Sequence, residues 1–257
     1  MHIVTVMNYT FDDERLLVMC RMWMDSVQRA DPGAHITVLA ARPLPAWLAD
    51  HFRSYGNVAV EIRPYYKGAR VLRSAHAMHN IFFKLHHLCG RDKPFIYLDA
   101  DAIPLSSLEF LWKRRFDKPW IGIDHQRGIP GHTGDAPFLN SGVQVVGDPS
   151  FCEYRELIGL TRESDFCWGV PGTDQALLYA HFRRIGYDYS HPEIGPEWNA
   201  CAGFVDLQQG SSGDWTGSVR ELVPAHEVHI NHYWGPFKPW QIGCPMFAQY
   251  RARFGGA

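Results

Sequence analysis

The first hundred residues alternate between short apolar runs and longer helical segments, and this alternation constrains the fold more than any other feature. The segment 12–30 shows the helical type, with an acidic first turn and with Leu16, Cys20 and Trp23 at helical spacing. The β-rich runs are 3–7, 36–40, 58–62 and 95–98, and the helical segments are 12–30, 45–54 and 74–89. Strands that alternate with helices pair in parallel, so we predict an α/β fold with a Rossmann-like, mainly parallel central sheet flanked by helices.

The second half of the chain is less regular. Residues 119–123 and 142–146 are predicted strands, whereas 126–137 and 208–217 are rich in Gly, Ser, Asp and Pro and are predicted to be loops. With 257 residues and no internal repeat or evident linker, the chain is predicted to form a single continuous domain over 1–257. We divide it into a donor half, about 1–101, and an acceptor half, about 102–257.

Charge and cysteine content exclude several classes of function. Lys and Arg number 25 and Asp and Glu 27, a net charge of −2, so the sequence offers no overall positive field for nucleic acid. The apolar run at 1–7 is too short to span a bilayer and has no basic leader, and no transmembrane segment is expected. Six cysteines are scattered without a C-x-x-C pair, which favours a reducing, cytoplasmic location.

Two carboxylates follow directly after the fourth predicted strand. Asp99 and Asp101, separated by Ala100, end the run Phe95 to Leu98. Ligands of open parallel sheets gather at the carboxyl ends of the strands. Carboxylates one residue apart can converge on a hard divalent cation while leaving room for substrate phosphates. The alternative is a solvated acidic turn, but a buried strand that ends in two unpaired carboxylates is costly unless a positive charge neutralises them.

A second polar motif lies near the end of the sequence, in the segment His232-Tyr233-Trp234-Gly235-Pro236-Phe237-Lys238-Pro239-Trp240. The His232 imidazole can complete the coordination shell of a metal. Gly235 permits close backbone approach to a phosphate, and Lys238 supplies a point charge for a diphosphate.

This nonapeptide resembles the H-[FY]-x-G-x-x-K-P-W signature of glycosyltransferase family 8, the family of glycogenin and bacterial lipopolysaccharide galactosyltransferases. Four further segments resemble motifs of that family in the same order. They are Phe83-Lys84-Leu85-His86, Phe138-Leu139-Asn140-Ser141-Gly142-Val143, Thr173-Asp174-Gln175 and Glu197-Trp198-Asn199. The resemblance implies a GT-A fold, a nucleotide diphosphate sugar as donor (usually UDP-linked), Mn²⁺ or alternatively Mg²⁺ as cofactor, and transfer with retention of anomeric configuration. An extra leucine separates Phe138 from Asn140, and residues 200–227 match no segment of the family.

The resemblance also assigns roles to residues. It implies that Asp99, Asp101 and His232 are the metal ligands and that Asp174 and Gln175 are catalytic, without deciding between a covalent intermediate and a same-face reaction. The remaining donor-binding residues that it implies are Lys84, Asp99, Ala100, Asn140, Ser141, Gly235 and Lys238.

Asn8 and Tyr9 follow the first strand, where the nucleotide base rests in a GT-A sheet. They are candidate base-binding residues, and an ordinary strand-to-helix turn is the equal alternative.

Three other functions compete with the glycosyltransferase hypothesis. Asp99-Ala100-Asp101 also resembles the nucleophile motif of haloacid dehalogenase-like phosphatases, but Ile103 stands where that motif has threonine or a similar residue. A sugar nucleotidyltransferase would carry a glycine-rich loop that residues 7–10 lack. A non-catalytic sugar-binding protein would not need a metal-diphosphate site. The acceptor is not identified by the sequence, and no amphipathic or basic C-terminal helix of the kind that anchors a membrane-acting enzyme is expected.

Overall fold

A computed structural model describes residues 1–7, 13–63, 83–124, 139–162, 174–201, 227–233, 238–240 and 244–254, and the strand pairs named below within 204–220. The strands are β1 (His2–Val6), β2 (His35–Ala40), β3 (Val58–Ile62), β4 (Phe95–Leu98), β5 (Ala102–Pro104), β6 (Trp120–Asp124), β7 (Leu139–Val146), β8 (Ala200–Cys201), β9 (Phe204–Val205), β10 (Gln208–Gln209), β11 (Trp215–Thr216), β12 (Val219–Arg220) and β13 (Ile230–His232). The helices are α1 (Glu14–Ala30), α2 (Ala46–Arg53), α3 (described over 83–89), α4 (Glu109–Arg114), α5 (Tyr154–Leu160), α6 (Asp174–Arg184) and α7 (Pro245–Phe254).

The central sheet has six strands in the order β3-β2-β1-β4-β7-β6. The pairs β3-β2, β2-β1 and β1-β4 are parallel, and β7 is antiparallel to both of its neighbours. The prediction of a mainly parallel sheet flanked by helices is therefore confirmed. The single antiparallel strand β7 brings its first residues to the carboxyl end of β4, which is the edge where the predicted acidic motif lies.

Successive residues of the strands contribute to two separate cores. Ile3 and Ile96 belong to a core that also contains Trp23 of α1, whereas Val4 and Tyr97 belong to a second core. Because side chains alternate across a strand, both faces of the sheet are covered, and β4 is buried at every position. Of the periodic residues of α1 predicted from the sequence, Cys20 and Trp23 are fully buried and Leu16 is partly buried.

A three-stranded sheet, β5-β13-β8, joins the carboxyl end of β4 to the C-terminal part of the chain. β13 pairs antiparallel with β5, so that His232 lies opposite Ala102, and parallel with β8. The sequence did not predict these strands, because they have only two or three residues each and are held by pairing partners far away in the chain.

Three local expectations differ from the structure. β7 begins at 139 rather than 142. Within 208–217, which was predicted to be a loop, Gln208–Gln209 and Trp215–Thr216 pair as antiparallel strands. Residues 245–254 form the helix α7, which has Arg251 and Arg253 in its last turn and was not expected from the sequence. The predicted loop at 126–137 lies outside the described residues. Among the described residues, no helix combines the length and apolar character needed to cross a membrane.

Candidate active site

The turn after β4 directs the two predicted carboxylates toward β7 and β13. The backbone N–H of Asp99 donates to the carbonyl of Gly142 at 2.7 Å, which extends the β4-β7 pairing by one residue. The N–H of Ala102 donates to the Asp99 carbonyl at 2.9 Å and closes a tight turn. The N–H of Tyr233 donates to the Asp101 carbonyl at 2.9 Å. Backbone pairing thus fixes the positions of both aspartates and of His232 and Tyr233.

Asp99, Asp101 and His232 offer ligand atoms that all lie within 4.8 Å of one another. The Nε2 atom of His232 is 3.4 Å from Asp101 Oδ1 and 3.9 Å from Asp99 Oδ2. Asp101 and His232 are buried, whereas the Asp99 side chain is 32% exposed and keeps one side of the cluster accessible. Two carboxylates and an imidazole form a donor set that Mn²⁺ and similar divalent cations accept, so the residues fit the predicted metal.

Gly142 makes room for the imidazole of His232. A Cβ atom at this position would lie 2.1 Å from Cε1 and 2.7 Å from Nε2 of His232. No side chain can occupy that space without displacing the ring. The glycine of the predicted strand motif is therefore required by the close approach of the histidine to β7.

Lys238 neutralises the buried Asp101. Its ammonium group donates to Asp101 Oδ2 and to the carbonyl of Tyr233, the latter at 3.0 Å. Burial by itself raises the pKa of Asp101, but the charge of Lys238 and the hydrogen bond from His232 outweigh it and hold the pKa well below its usual range. The carboxylate is therefore ionised at neutral pH, as a metal ligand must be.

Lys84, which α3 carries into the interior, connects two of the predicted site carboxylates. Its Nζ atom lies 2.7 Å from Asp174 Oδ2 and donates to Asp99 Oδ1 at 3.2 Å and to the Ser141 carbonyl at 2.8 Å. Burial by itself lowers the pKa of Lys84, but Asp174 and Asp99 outweigh it and raise the pKa. The hydroxyl of Tyr97 also donates to Asp99 Oδ1. These contacts support Lys84 as the group that orients both carboxylates, and its direct contact with the donor sugar stays a prediction.

The start of β7 and the start of α6 bring the remaining described candidates together. Asn140 Nδ2 donates to Gln175 Oε1 at 3.4 Å, and Asn140 Oδ1 accepts from the Gly142 N–H at 2.6 Å. The β6-β7 register shifts between Gly122 and Ile123, so residues 141–143 bulge from the ladder. Bulges of this kind often re-aim side chains next to active sites. Asp174 and Gln175 are the first two residues of α6.

Asn199 has no role predicted from the sequence. This fully buried residue lies next to His232, and its Oδ1 is 2.8 Å from His232 Nδ1. The only signal for it in the sequence was the Trp198-Asn199 pair of the family resemblance. Asn8, Tyr9 and Gly235 lie outside the described residues, and Ala100 is buried in the turn between the two aspartates.

A cavity of about 640 Å³ adjoins the segment that carries Lys238. Pro239 and Trp240 line it together with Glu14 of α1 and with Phe247 and Arg251 of α7. The guanidinium group of Arg15 lies over the ring of Trp240, 5.2 Å from the ring centroid. The cavity therefore combines apolar and charged groups.

A mainly parallel sheet with an Asp-x-Asp turn at its carboxyl edge is the GT-A architecture found in glycosyltransferases. Among the solved structures that share this fold are three glycosyltransferases. The galactosyltransferase LgtC, in complex with donor and acceptor sugar analogues, matches with a TM-score of 0.60 and 17% identity over 100% of this chain and 97% of its own. The glycosyltransferase GlyE of Streptococcus pneumoniae TIGR4 matches with a TM-score of 0.62 and 18% identity over 97% of this chain and 59% of its own. The bifunctional glycosyltransferase WbbM matches with a TM-score of 0.57 and 11% identity over 99% of this chain and 49% of its own.

By sequence, no protein-family model and no curated protein matches the chain significantly. At the identities found, the solved structures establish the fold alone. The case for function therefore depends on the residues at the site.

Proposed function

We propose that this protein is a metal-dependent, retaining glycosyltransferase that transfers a hexose from a nucleotide diphosphate sugar, UDP-linked, to a separate acceptor. The observation that carries the proposal is the convergence of Asp99, Asp101 and His232, with Lys238 beside them, at the carboxyl edge of a GT-A sheet. These residues come from distant parts of the chain, and neither the packing of the sheet nor sugar binding alone requires them to meet.

The residues of the site have distinct proposed tasks. Asp99, Asp101 and His232 hold Mn²⁺, or alternatively Mg²⁺, and a bound cation supplies positive charge that offsets the charge of the leaving nucleotide diphosphate. Lys238, at the same carboxylate, adds a second positive charge for the diphosphate. Lys84 holds Asp174 and Asp99 in fixed orientations.

Retention requires a group on the far face of the sugar or a reaction on one face. We propose Asp174 or Gln175 for the first role, because both lie at the start of α6 and contact residues that border the metal cluster, Lys84 and Asn140 respectively. Asn140 and Ser141 border the donor sugar in this scheme. Asn8, Tyr9 and Gly235 remain proposed nucleotide-binding residues from the sequence.

The cellular setting is also a proposal. Cys20, Cys89, Cys152 and Cys244 are free thiols, which agrees with a reducing compartment such as the cytoplasm. We propose that the partners are the donor and an acceptor such as a glycan, a protein side chain or a small molecule, without nucleic acid.

Donor hydrolysis tests the proposed function without knowledge of the acceptor. The protein is incubated with Mn²⁺ and a panel of nucleotide sugars, and free sugar, nucleoside diphosphate and inorganic phosphate are measured separately. We expect slow release of sugar and nucleoside diphosphate from one donor, and its loss in EDTA. Release of inorganic phosphate instead would indicate a phosphatase, and binding of a nucleotide sugar without cleavage would indicate a non-catalytic binding protein.

A further inference from the structure

We propose that Asn199 is a positioning residue for His232. It holds the imidazole with its proton on Nδ1, so that Nε2 faces Asp99 and Asp101 and is the ring nitrogen available to a cation. The significance for metal binding rests on the proposed function, whereas the proton on Nδ1 can be tested without a metal.

The hydrogen bonds of Asn199 fix which of its side-chain atoms faces the histidine. Its Nδ2 donates to the carbonyl of Ile123 at 3.2 Å, and a carbonyl can only accept. The other side-chain atom, the acceptor Oδ1, is 2.8 Å from His232 Nδ1. Nδ1 must therefore carry the proton, and in the neutral ring Nε2 is left as an unprotonated ligand atom.

The Ile123 carbonyl lies where the β6-β7 pairing is irregular. The register between these strands shifts between Gly122 and Ile123. The N–H of Gly122 donates to Tyr189 at 2.8 Å, on the side away from β7. Gly142 lies in the bulged segment of β7 and contacts the His232 ring, and the Ile123 carbonyl that orients Asn199 lies opposite the same irregularity. The same irregular part of the sheet therefore contributes to the contacts at Nε2 and at Nδ1 of the imidazole.

The backbone around Asn199 is held by aromatic packing. Trp198, the last residue of the preceding 3₁₀ turn, stacks on His229 with ring centroids 4.1 Å apart and on Phe110 at 5.1 Å. The N–H of His229 also donates to Glu197 at 2.8 Å. Asn199 is 0% exposed, so water does not compete for its hydrogen bonds. These contacts give the amide one position relative to β13.

Loss of the amide would remove the preference for one ring form. A histidine that ligates a metal commonly donates its other N–H to a fixed acceptor, and removing that acceptor typically weakens metal binding by about 10- to 100-fold. We therefore expect Asn199→Ala to lower the affinity for Mn²⁺ by about this factor. Asn199→Asp keeps an acceptor for Nδ1, so we expect it to bind Mn²⁺ more tightly than Asn199→Ala even where it unfolds at a lower temperature.

The first test is ¹⁵N NMR of the histidine rings in the metal-free wild-type protein, with the His232 signals assigned by their loss in His232→Gln. The expected result is a proton on Nδ1, shared with Asn199 Oδ1. An unprotonated Nδ1 in the wild type would overturn the proposal, whatever the function of the protein.

The second test is titration of Mn²⁺ into the wild type, Asn199→Ala, Asn199→Asp and the control Asn57→Ala. Asn57 donates its side-chain N–H groups to the carbonyls of Pro32 and Ala34, at 3.0 and 2.7 Å, far from the site in sequence and fold. We expect the control to bind Mn²⁺ as the wild type does. Wild-type affinity in folded Asn199→Ala, or affinity in Asn199→Asp no better than in Asn199→Ala, would contradict the positioning role. Failure of the wild type itself to bind Mn²⁺ would instead contradict the proposed function.

Discussion

Asp101 is the residue at which the interactions of the site converge, since it faces His232 and pairs with Lys238 while it is buried. Asp101→Asn replaces a charged ligand by a neutral amide, which binds a hard cation poorly. We expect this variant to lose Mn²⁺ binding and donor hydrolysis. Titration of Mn²⁺ and the hydrolysis assay measure both. Asp50→Asn is the control, because Asp50 is exposed and pairs with the exposed Arg53. Wild-type turnover in Asp101→Asn would eliminate the metal site.

Gly142 tests the geometry of the histidine without altering any ligand. In Gly142→Ala the added methyl group would meet the His232 ring at 2.1 Å, so the ring must move. We expect the affinity for Mn²⁺ to fall at least about tenfold, as for other changes that misorient a ligand. Gly159→Ala is the matched control, since a Cβ atom there meets nothing within 4 Å. Equal Mn²⁺ affinity in both variants would show that the His232 ring does not bind the metal in this position.

Lys238 is expected to act on the rate rather than on the binding of the donor. A lysine that stabilises charge developing on the diphosphate contributes more in the transition state than in the ground state. Lys238→Ala should therefore reduce kcat by about 10²–10³. Thermal unfolding of the same variant separates this effect from a folding defect, which is a concern because Pro239 and Trp240 follow Lys238 directly in the sequence. Normal unfolding together with normal turnover would show that Lys238 does not contribute to catalysis.

At the scale of elements, the sequence predicted the parts of the fold that have strong local patterns. β1, β2, β3, β4, α1 and α2 were predicted within a few residues, because each has a continuous apolar run or a helical period. The small sheet β5-β13-β8 was not predicted, although it carries His232 to Asp101. A strand such as Ala102–Pro104 is too short to show a period and exists only through its partners. The three predicted metal ligands, Asp99, Asp101 and His232, nevertheless lie together in the structure, because motif resemblance does not depend on the path of the backbone.

α3 is tied to β4 and α6 by the ammonium group of Lys84. Removal of one partner from a buried ion pair leaves an uncompensated charge and typically costs about 3–5 kcal/mol. We therefore expect Lys84→Ala to lower the free energy of unfolding by about this amount, since Asp174 and Asp99 would lose their positive partner. Denaturant unfolding measures the change.

Lys113→Ala is the control for Lys84→Ala. Lys113 forms an exposed pair with Glu109 along α4 at 3.0 Å, and such pairs contribute less than about 1 kcal/mol. Similar losses of stability in the two variants would show that the Lys84 cluster is not a buried electrostatic link.

At the scale of the whole molecule, the site exists only where two sheets meet. Asp99 directly follows β4 of the central sheet, and Gly142 of β7 lies against the His232 ring. His232 itself belongs to the small sheet. The proposed metal and nucleoside diphosphate would together contact residues from both sheets. We therefore expect binding of the one to strengthen binding of the other.

The proposed metal-diphosphate site is tested most directly by calorimetric titration of UDP and other nucleoside diphosphates into the wild type and Asp101→Asn, with and without Mn²⁺. We predict that one nucleoside diphosphate binds the wild type at least about tenfold more tightly when Mn²⁺ is present, which is a coupling free energy of about 1.4 kcal/mol. We also predict that Asp101→Asn shows no such gain. Equal affinity of the wild type for every nucleoside diphosphate in Mn²⁺ and in EDTA would contradict the proposal that Asp99, Asp101 and His232 form a metal-diphosphate site.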